Sequence, residues 1–138
     1  MALTPHLWFP GQCREAFNFY ARLFGGKLWM LAYRETPMAQ DVPAEWGEKI
    51  VHATLSFDGC ELAGSDVRPE DYRRPQGFSV LVGVDGVENA NRIFSALAEG
   101  GSVGMPMQQT FWSAAFGVLV DRFGIPWEIN GKSSGSAK

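Results

Sequence analysis

Two histidines lie on predicted strands that alternate polar and apolar residues, and they are the first residues that suggest chemistry. His6 lies within residues 3–9 and His52 within residues 50–58, each on the face opposite the apolar one. Thr54 follows His52 on the same face. An imidazole changes charge near neutral pH, so it can act as a general base or donate a hydrogen bond to a bound oxyanion. A histidine on a strand can equally be a hydrogen-bonded structural residue, and both interpretations stay open.

One carboxylate and three aromatic residues complete the set of candidates. Glu128 is predicted to face away from the core, where it could act as a general base or a metal ligand; the alternative is a solvated or Arg-paired carboxylate near a strand end. Trp8, Trp112 and Phe116 could form a wall for a planar ligand, or they could belong to the core or to a dimer interface. Trp127 is assigned to the core because it faces opposite to Glu128.

Composition excludes several classes of function. The chain has 138 residues and a formal charge of -3, with Lys and Arg scattered rather than clustered, which argues against nucleic-acid binding. Its longest apolar stretches are too short to span a bilayer, and the first residues do not resemble a secretory signal. Two cysteines do not form a disulfide framework. A cytoplasmic location, with neither a membrane nor a nucleic-acid partner, is therefore the expectation.

The elements that must position these residues occur in the order β-α-β-β-β, twice. The first module covers about residues 1–66 and the second about residues 77–130, and residues 131–138 are predicted to form a flexible tail. Glycine pairs end both predicted helices, and Asp85 is expected to cap the second. Residues 35–49, rich in Pro and Gly, are predicted to form a long loop.

The resulting fold class is α+β. Residues 1–130 are expected to form one domain, in which the two βαβββ modules build a curved mixed sheet with helices on its convex face and a central cleft. The less apolar face of each strand should line the cleft. Seven candidate ligand-binding residues are predicted there, of which Glu128 and His52 are also the catalytic candidates: His6, Trp8, His52, Thr54, Trp112, Phe116 and Glu128.

Three motifs make the sequence similar to a known family. They are FxGxCxEAFxFYxxxFGG from Phe9, HAxLxxxGxxLxGSD from His52, and TFWxxxFGxxxDRFGxPWxIN from Thr110, and together they extend from residue 9 to residue 130. The chain therefore resembles the PhnB-like branch of the vicinal-oxygen-chelate superfamily, which includes glyoxalase I, extradiol dioxygenases and bleomycin-sequestering proteins. The resemblance implies paired βαβββ modules and a homodimer.

The resemblance also implies where a metal ion would bind. Metal enzymes of the superfamily take ligands from the first, fourth, fifth and eighth strands, and these positions fall at or next to Pro5, at Ala63, at Ser79 and at Glu128. Alanine cannot bind a metal and serine is a poor ligand, so only His6, beside Pro5, and Glu128 are weak candidates. His52 is a possible substitute ligand. The sequence thus predicts either no cofactor or a divalent metal ion.

Three functions remain open at this point. The first is a protein that binds a small molecule in an aromatic-lined cleft without a complete metal site. The second is a metal-dependent lyase, isomerase or dioxygenase acting on a small oxygenated substrate, and the third is a structural dimer without a ligand. Some PhnB-like sequences carry a demethylubiquinone methyltransferase label, but no predicted strand leads into a glycine-rich nucleotide-type loop, so methyl transfer is not expected.

Overall fold

The computed structural model of this chain describes residues 1–133. The chain forms two compact units, the first Met1–Arg73 and the second beginning at Arg74. Each unit contains four strands and one helix in the order βαβββ, which confirms the predicted pair of modules and the α+β class.

The first unit supplies one helix, four strands and several short turns. Its strands and helix are β1 (His6–Phe9), α1 (Cys13–Phe24), β2 (Lys27–Ala32), β3 (Ile50–Phe57) and β4 (Cys60–Asp66). The predicted long loop is present between β2 and β3, where three short 3-10 turns follow one another: Tyr33–Glu35, Pro37–Asp41 and Ala44–Trp46. A further 3-10 turn, Pro69–Asp71, follows β4.

The second unit repeats this order without the long loop. Its elements are β5 (Val80–Asp85), α2 (Val87–Ala98), β6 (Ser102–Gln108), β7 (Ala115–Val120) and β8 (Pro126–Lys132). The prediction that Asp85 caps α2 is wrong, because Asp85 is the last residue of β5 and Gly86, at φ 88°, takes the cap position. The predicted tail also begins too early, since β8 includes residues 131 and 132; residues 134–138 lie outside the described residues.

Each unit has its own mixed sheet. The strand orders are β1-β4-β3-β2 and β5-β8-β7-β6, so the first strand of each unit pairs with its last strand. That pairing is parallel, and the other pairings are antiparallel. Helix α1 connects β1 to β2, and α2 connects β5 to β6, in each case from one edge strand of the sheet to the other. This crossover places the helix on one face of the sheet and leaves the other face uncovered within the unit.

The core of each unit lies between its helix and its sheet. Glycines on the sheet allow close approach, because a Cβ at Gly64 would lie 2.5 Å from Phe17 of α1, and a Cβ at Gly117 would lie 2.6 Å from Phe94 of α2. The buried residues of the two helices are Cys13, Ala16, Phe17 and Tyr20 in α1, and Ala90, Ile93, Phe94 and Leu97 in α2. We use "outer face" for the face of each sheet opposite its own helix.

Candidate functional site

Strand β1 turns His6 and Trp8 toward the outer face of the first-unit sheet. The intervening side chains are buried, with Leu7 3% and Phe9 0% exposed, and the Phe9 ring packs edge-on against Phe17 of α1 at 6.1 Å between centroids. Trp8 is 54% exposed. Because side chains alternate along a strand, burying one pair fixes the direction of the other. The predicted alternation is therefore confirmed over His6–Phe9, whereas the predicted strand starts too early, because β1 begins at His6.

His6, His52 and Ser65 form one cluster on this outer face, which we call the histidine cluster. His6 Nε2 lies 3.1 Å from Ser65 Oγ, within hydrogen-bonding distance. The rings of His6 and His52 are 5.7 Å apart between centroids and tilted by 42°. Burial lowers the pKa of His6, and the neighbouring His52 lowers it further. The structure thus brings the two predicted histidines together and adds a hydroxyl that the sequence did not mark as a site residue.

Aromatic side chains flank the histidine cluster. Trp29 of β2 lies 6.0 Å from the His52 ring between centroids, and its side chain is 50% exposed. In the strand register Trp29 is opposite Thr54, and Thr54 is opposite Ala63. Trp29 was absent from the predicted site. The only signal in the sequence is the alternation of Lys27, Trp29 and Leu31 along β2. Because Leu28 and Met30 are apolar as well, this pattern does not indicate which face of β2 is exposed.

The second-unit candidates lie on the outer face of the other sheet. Glu128 of β8 is half-buried and stands in register between Leu81 of β5 and Val118 of β7, whereas its neighbour Trp127 is buried, as predicted. Leu81 is exposed and Val118 is half-buried, so the immediate cross-strand neighbours of Glu128 are aliphatic. This arrangement offers Glu128 no partner for acid–base work from the adjacent strands of its own sheet.

Phe116 and Trp112 form a separate aromatic group in the second unit. Their rings meet at 5.4 Å in a T-shaped arrangement, and Phe111 packs on Trp112 in the same way at 4.7 Å. The loop that carries them is fastened by Ser113, whose hydroxyl donates to Asn130 Oδ1 and accepts from the Ala115 N–H. Phe111 is 96% exposed and Trp112 is 55% exposed, so neither is a core residue within the chain.

The donor set for a metal ion is incomplete. Ala63 pairs in register with His6 and offers no ligand beside it. Among residues 1–133 no group of three or more His, Cys, Asp or Glu side chains could hold a metal ion. Since structural and catalytic metal sites use three or more protein ligands, the residues present do not fit the four-ligand site that the resemblance implies.

The two buried carboxylates serve the fold. Asp66 Oδ1 accepts from the N–H groups of Gly11 at 3.1 Å and Cys13 at 2.9 Å, and Oδ2 accepts from the Ile50 N–H at 2.9 Å. Burial raises the pKa of Asp66, although these N–H groups and the nearby Lys49 ammonium act in the opposite direction. Asp66 therefore ties together the end of β4 and the starts of α1 and β3.

Asp121 plays a similar part in the β7–β8 turn. Its Oδ1 accepts from the N–H groups of Phe123 at 2.9 Å and Ile125 at 3.0 Å, and its Oδ2 accepts from Trp127 Nε1 at 2.9 Å. Asp121 is 3% exposed. Both aspartates therefore accept backbone N–H groups at turns and at the starts of secondary-structure elements.

Comparison with known proteins gives consistent matches over nearly the whole chain. A family profile described as 3-demethylubiquinone-9 3-methyltransferase matches residues 1–130. Protein YjdN of Escherichia coli (strain K12) is 33% identical over 139 residues, covering 94% of this chain and 95% of YjdN. None of the helices in the described part of the chain is long and apolar enough to cross a membrane.

Solved structures agree with the fold. Protein PA1353 from Pseudomonas aeruginosa is 43% identical with a TM-score of 0.88, covering 97% of this chain and 99% of that one. A Bacillus cereus PhnB protein, described as a putative 3-demethylubiquinone-9 3-methyltransferase, is 26% identical with a TM-score of 0.78 over 95% and 99%. A glyoxalase/bleomycin resistance protein/dioxygenase family enzyme from Burkholderia phytofirmans PsJN shares the fold at 14% identity, with a TM-score of 0.62 over 93% and 95%.

Proposed function

Because the chain belongs to the PhnB-like branch of the glyoxalase/bleomycin resistance/dioxygenase superfamily, we propose that it binds a small planar molecule on its first-unit outer face. The histidine cluster and the flanking Trp8 and Trp29 supply the contacts. Fold alone does not decide function in a superfamily with several chemistries, so the proposal rests on the site.

One observation carries this proposal: polar and aromatic side chains meet where the sheet is not covered by its helix. The His6 Nε2–Ser65 Oγ contact of 3.1 Å and the Trp29–His52 contact of 6.0 Å put hydrogen-bonding groups beside an aromatic surface. Small-molecule sites are mostly apolar and aromatic, with a few polar groups that fix orientation. Trp8 and Trp29 are each about half exposed, so their rings are available to a ligand within the chain.

Methyl transfer, which the family profile's description names, has no support in the two strand-to-helix turns. A glycine-rich turn between a strand and a helix is the usual cradle for a nucleotide-containing donor. The turn between β1 and α1 has a single glycine, Gly11, and the turn between β5 and α2 has only Gly86. We therefore expect S-adenosylmethionine to leave the melting temperature unchanged; a saturable shift would revive the methyltransferase function.

A metal-dependent lyase, isomerase or dioxygenase is the alternative function. The observation in its favour is the 5.7 Å separation of the His6 and His52 rings, which keeps two imidazole ligands near each other. Elemental analysis of protein purified without chelator tests it. Stoichiometric Zn, Ni, Mn or Fe that is lost in His6→Ala would favour this alternative over metal-free binding.

Titration with benzamide, a neutral planar probe, tests the binding proposal. We expect saturable chemical-shift changes in the imidazole resonances and the Trp indole N–H resonances. The affinity should be severalfold weaker in Trp29→Ala, because stacking of a ring on an aromatic side chain contributes about 1 kcal/mol. Phe78→Ala, which removes an exposed aromatic side chain from the second unit, is the matched control. Equal affinity in wild type and Trp29→Ala would contradict the proposal.

A further inference from the structure

We infer that the first-unit outer face selects an anionic ligand: a planar aromatic carboxylate whose carboxylate group lies at the histidine cluster and whose ring contacts Trp29. This inference rests on the proposed function and names the class of ligand. Three features of the face support it: its hydrogen-bond donors, its charge and its aromatic surface.

The donors come from side chains that already contact one another. His6 Nε2 and Ser65 Oγ are 3.1 Å apart and share one hydrogen bond. When His6 is protonated, both of its ring nitrogens become donors, and the Ser65 hydroxyl is then free to turn its own hydrogen toward a ligand. His52, with its ring centroid 5.7 Å from that of His6, adds a second imidazole. These side chains lie on β1, on β3 and on β4 between them. Together they can offer several hydrogen-bond donors to one oxyanion.

The charge on this face is not neutralised by a nearby acid. The other charged residues on the outer face are Lys27 of β2 and Glu61 of β4, both aligned with Ser56 at the far end of β3. Glu61 accepts a hydrogen bond from Ser56 at 3.4 Å and lies two residues along β4 from Ala63, the register partner of His6. That spacing is about 7 Å along a strand.

The nearest acidic residue in sequence to Ser65 is also unavailable. Asp66 points to the opposite face of β4, where its two carboxylate oxygens accept three backbone N–H groups. β1 and β3 contribute no acidic side chain to the outer face. A protonated His6 therefore lacks an adjacent counter-ion on its own sheet, and an anionic ligand would supply one.

Protonation and ligand binding should consequently be coupled. Burial lowers the pKa of His6, and His52 lowers it further, because two positive imidazoles repel each other. An anion that accepts a hydrogen bond from His6 favours the protonated ring and so acts against this lowering. Anion binding should then take up protons and become tighter as the pH falls.

The aromatic neighbours select the rest of the ligand. Trp29 contacts the His52 ring at 6.0 Å between centroids and is half exposed, so a ring attached to the carboxylate can pack on the indole while the carboxylate reaches the imidazoles. Stacking of this kind is tolerant of ring type. A planar aromatic carboxylate satisfies both halves of the face, which neither acetate nor a neutral aromatic compound does.

Benzoate and benzamide are the matched probes, because they have the same shape and differ in charge. We expect benzoate to bind wild-type protein about tenfold more tightly than benzamide at pH 6, since a hydrogen bond to a charged group exceeds a neutral one by about the corresponding free energy. The preference should shrink at pH 8. His6→Gln and His52→Gln should each remove most of the preference, whereas Lys27→Gln, which removes the other cation of the same face, should leave it unchanged.

The outcomes separate this inference from the proposed function. Equal affinity for the two probes, with loss of both in Trp29→Ala, would overturn anion selectivity and leave planar-ligand binding intact. Loss of the preference in Lys27→Gln would assign the selectivity to the lysine and overturn the role of the histidine cluster. Acetate binding as tightly as benzoate would overturn the aromatic part, and binding of neither probe would overturn both proposals. If a histidine variant fails to fold, the wild-type protein supplies the test. A preference for benzoate that is equal at pH 6 and pH 8 would overturn the role of the histidine cluster.

Discussion

Replacing Asp66 with alanine should destabilise the first unit more than any exposed acidic substitution. Its carboxylate is 1% exposed and accepts N–H groups from Gly11, Cys13 and Ile50 at 2.9 to 3.1 Å. Two of these donors lie together, in the β1–α1 turn and at the first residue of α1, and the third is distant in sequence, at the first residue of β3. Removing the acceptor leaves three backbone donors without that partner and opens a space where water is largely excluded.

The size of the effect follows from these contacts. A hydrogen bond to a charged group contributes about 1.5–3 kcal/mol, so three give roughly 4.5–9 kcal/mol before costs. Burying the carboxylate costs several kcal/mol, and the raised pKa of Asp66 shows that burial outweighs the opposing contacts. The net loss expected for Asp66→Ala is therefore about 3–5 kcal/mol. Asp66→Asn should lose less, about 1–3 kcal/mol, because one amide oxygen can still accept from Gly11 and Cys13.

The pH dependence of this difference has a definite sign. The folded-state pKa of Asp66 is raised above its unfolded value, so the part of its stabilisation that depends on protonation is fully present below the unfolded pKa and is lost as the pH rises through the folded pKa. Asparagine does not titrate in this range. The difference in unfolding free energy between wild type and Asp66→Asn should therefore narrow as the pH rises from the unfolded-state pKa through the folded-state pKa of Asp66.

Urea unfolding followed by tryptophan fluorescence measures the free energy, and hydrogen exchange locates the effect. The amides of Gly11, Cys13 and Ile50 should lose protection in Asp66→Ala. The control is Asp71→Ala, an exposed aspartate of the same unit, which should stay within about 0.5 kcal/mol of wild type. A loss below about 1 kcal/mol in Asp66→Ala, or unchanged exchange at the three amides, would refute the assigned role.

Three further predictions concern stability and assembly. Because the pKa of His6 is lowered in the folded state, its contribution to stability is present above the unfolded pKa and is lost as the pH falls through the folded pKa. His6→Gln should therefore lose less stability on acidification than wild type. Identical pH profiles of the unfolding free energy would contradict this. Gly64→Ala should lower the unfolding free energy by about 1–3 kcal/mol, because its Cβ would lie 2.5 Å from Phe17. In Gly104→Ala the nearest atom would be 3.6 Å from the new Cβ, so the unfolding free energy should not change. Equal urea midpoints for the two variants would contradict the packing argument. Light scattering after size exclusion should give twice the mass of the 15.2 kDa chain if the homodimer that the family resemblance implies forms, and the monomer mass would rule it out.

The fold was predictable because its periodicities are simple. Alternation along β1 and β3 separated buried from outer-face residues, and glycine pairs marked the ends of both helices. The errors lie at boundaries. Asp85 was expected to cap α2, but the strand continues to it by pairing with Lys132 of β8, and this pairing between distant segments is not visible in local sequence.

The site was predictable only in part, because its geometry depends on register. Alternation gives the direction in which His6 points but not its neighbour across the sheet. The parallel β1–β4 pairing places Trp8 opposite Ser65 and brings Ser65 within reach of His6, 59 residues earlier in the chain. Trp29 was missed for a related reason: β2 is apolar on both faces, and only its antiparallel pairing with β3 sets it beside His52.

The motifs that reveal the family describe the inner face of the sheet more than the outer one. Gly64 makes room for Phe17, and Asp66 fastens α1 to the sheet, so packing explains the Gly and the Asp of the GSD motif. The DRFGxPW motif is explained by Asp121, which accepts three N–H groups from the β7–β8 turn and Trp127.

Several outer-face residues occupy positions that these motifs leave free, namely His6, Trp8 and Trp29. Because side chains alternate, a strand can keep its inner residues for the fold while its outer residues change with the ligand. Inner-face substitutions should therefore lower stability without altering the benzoate preference of the folded fraction. Outer-face substitutions should alter the benzoate preference with little change in stability. If Gly64→Ala changed the preference as strongly as His6→Gln, fold and recognition would not be separable by face.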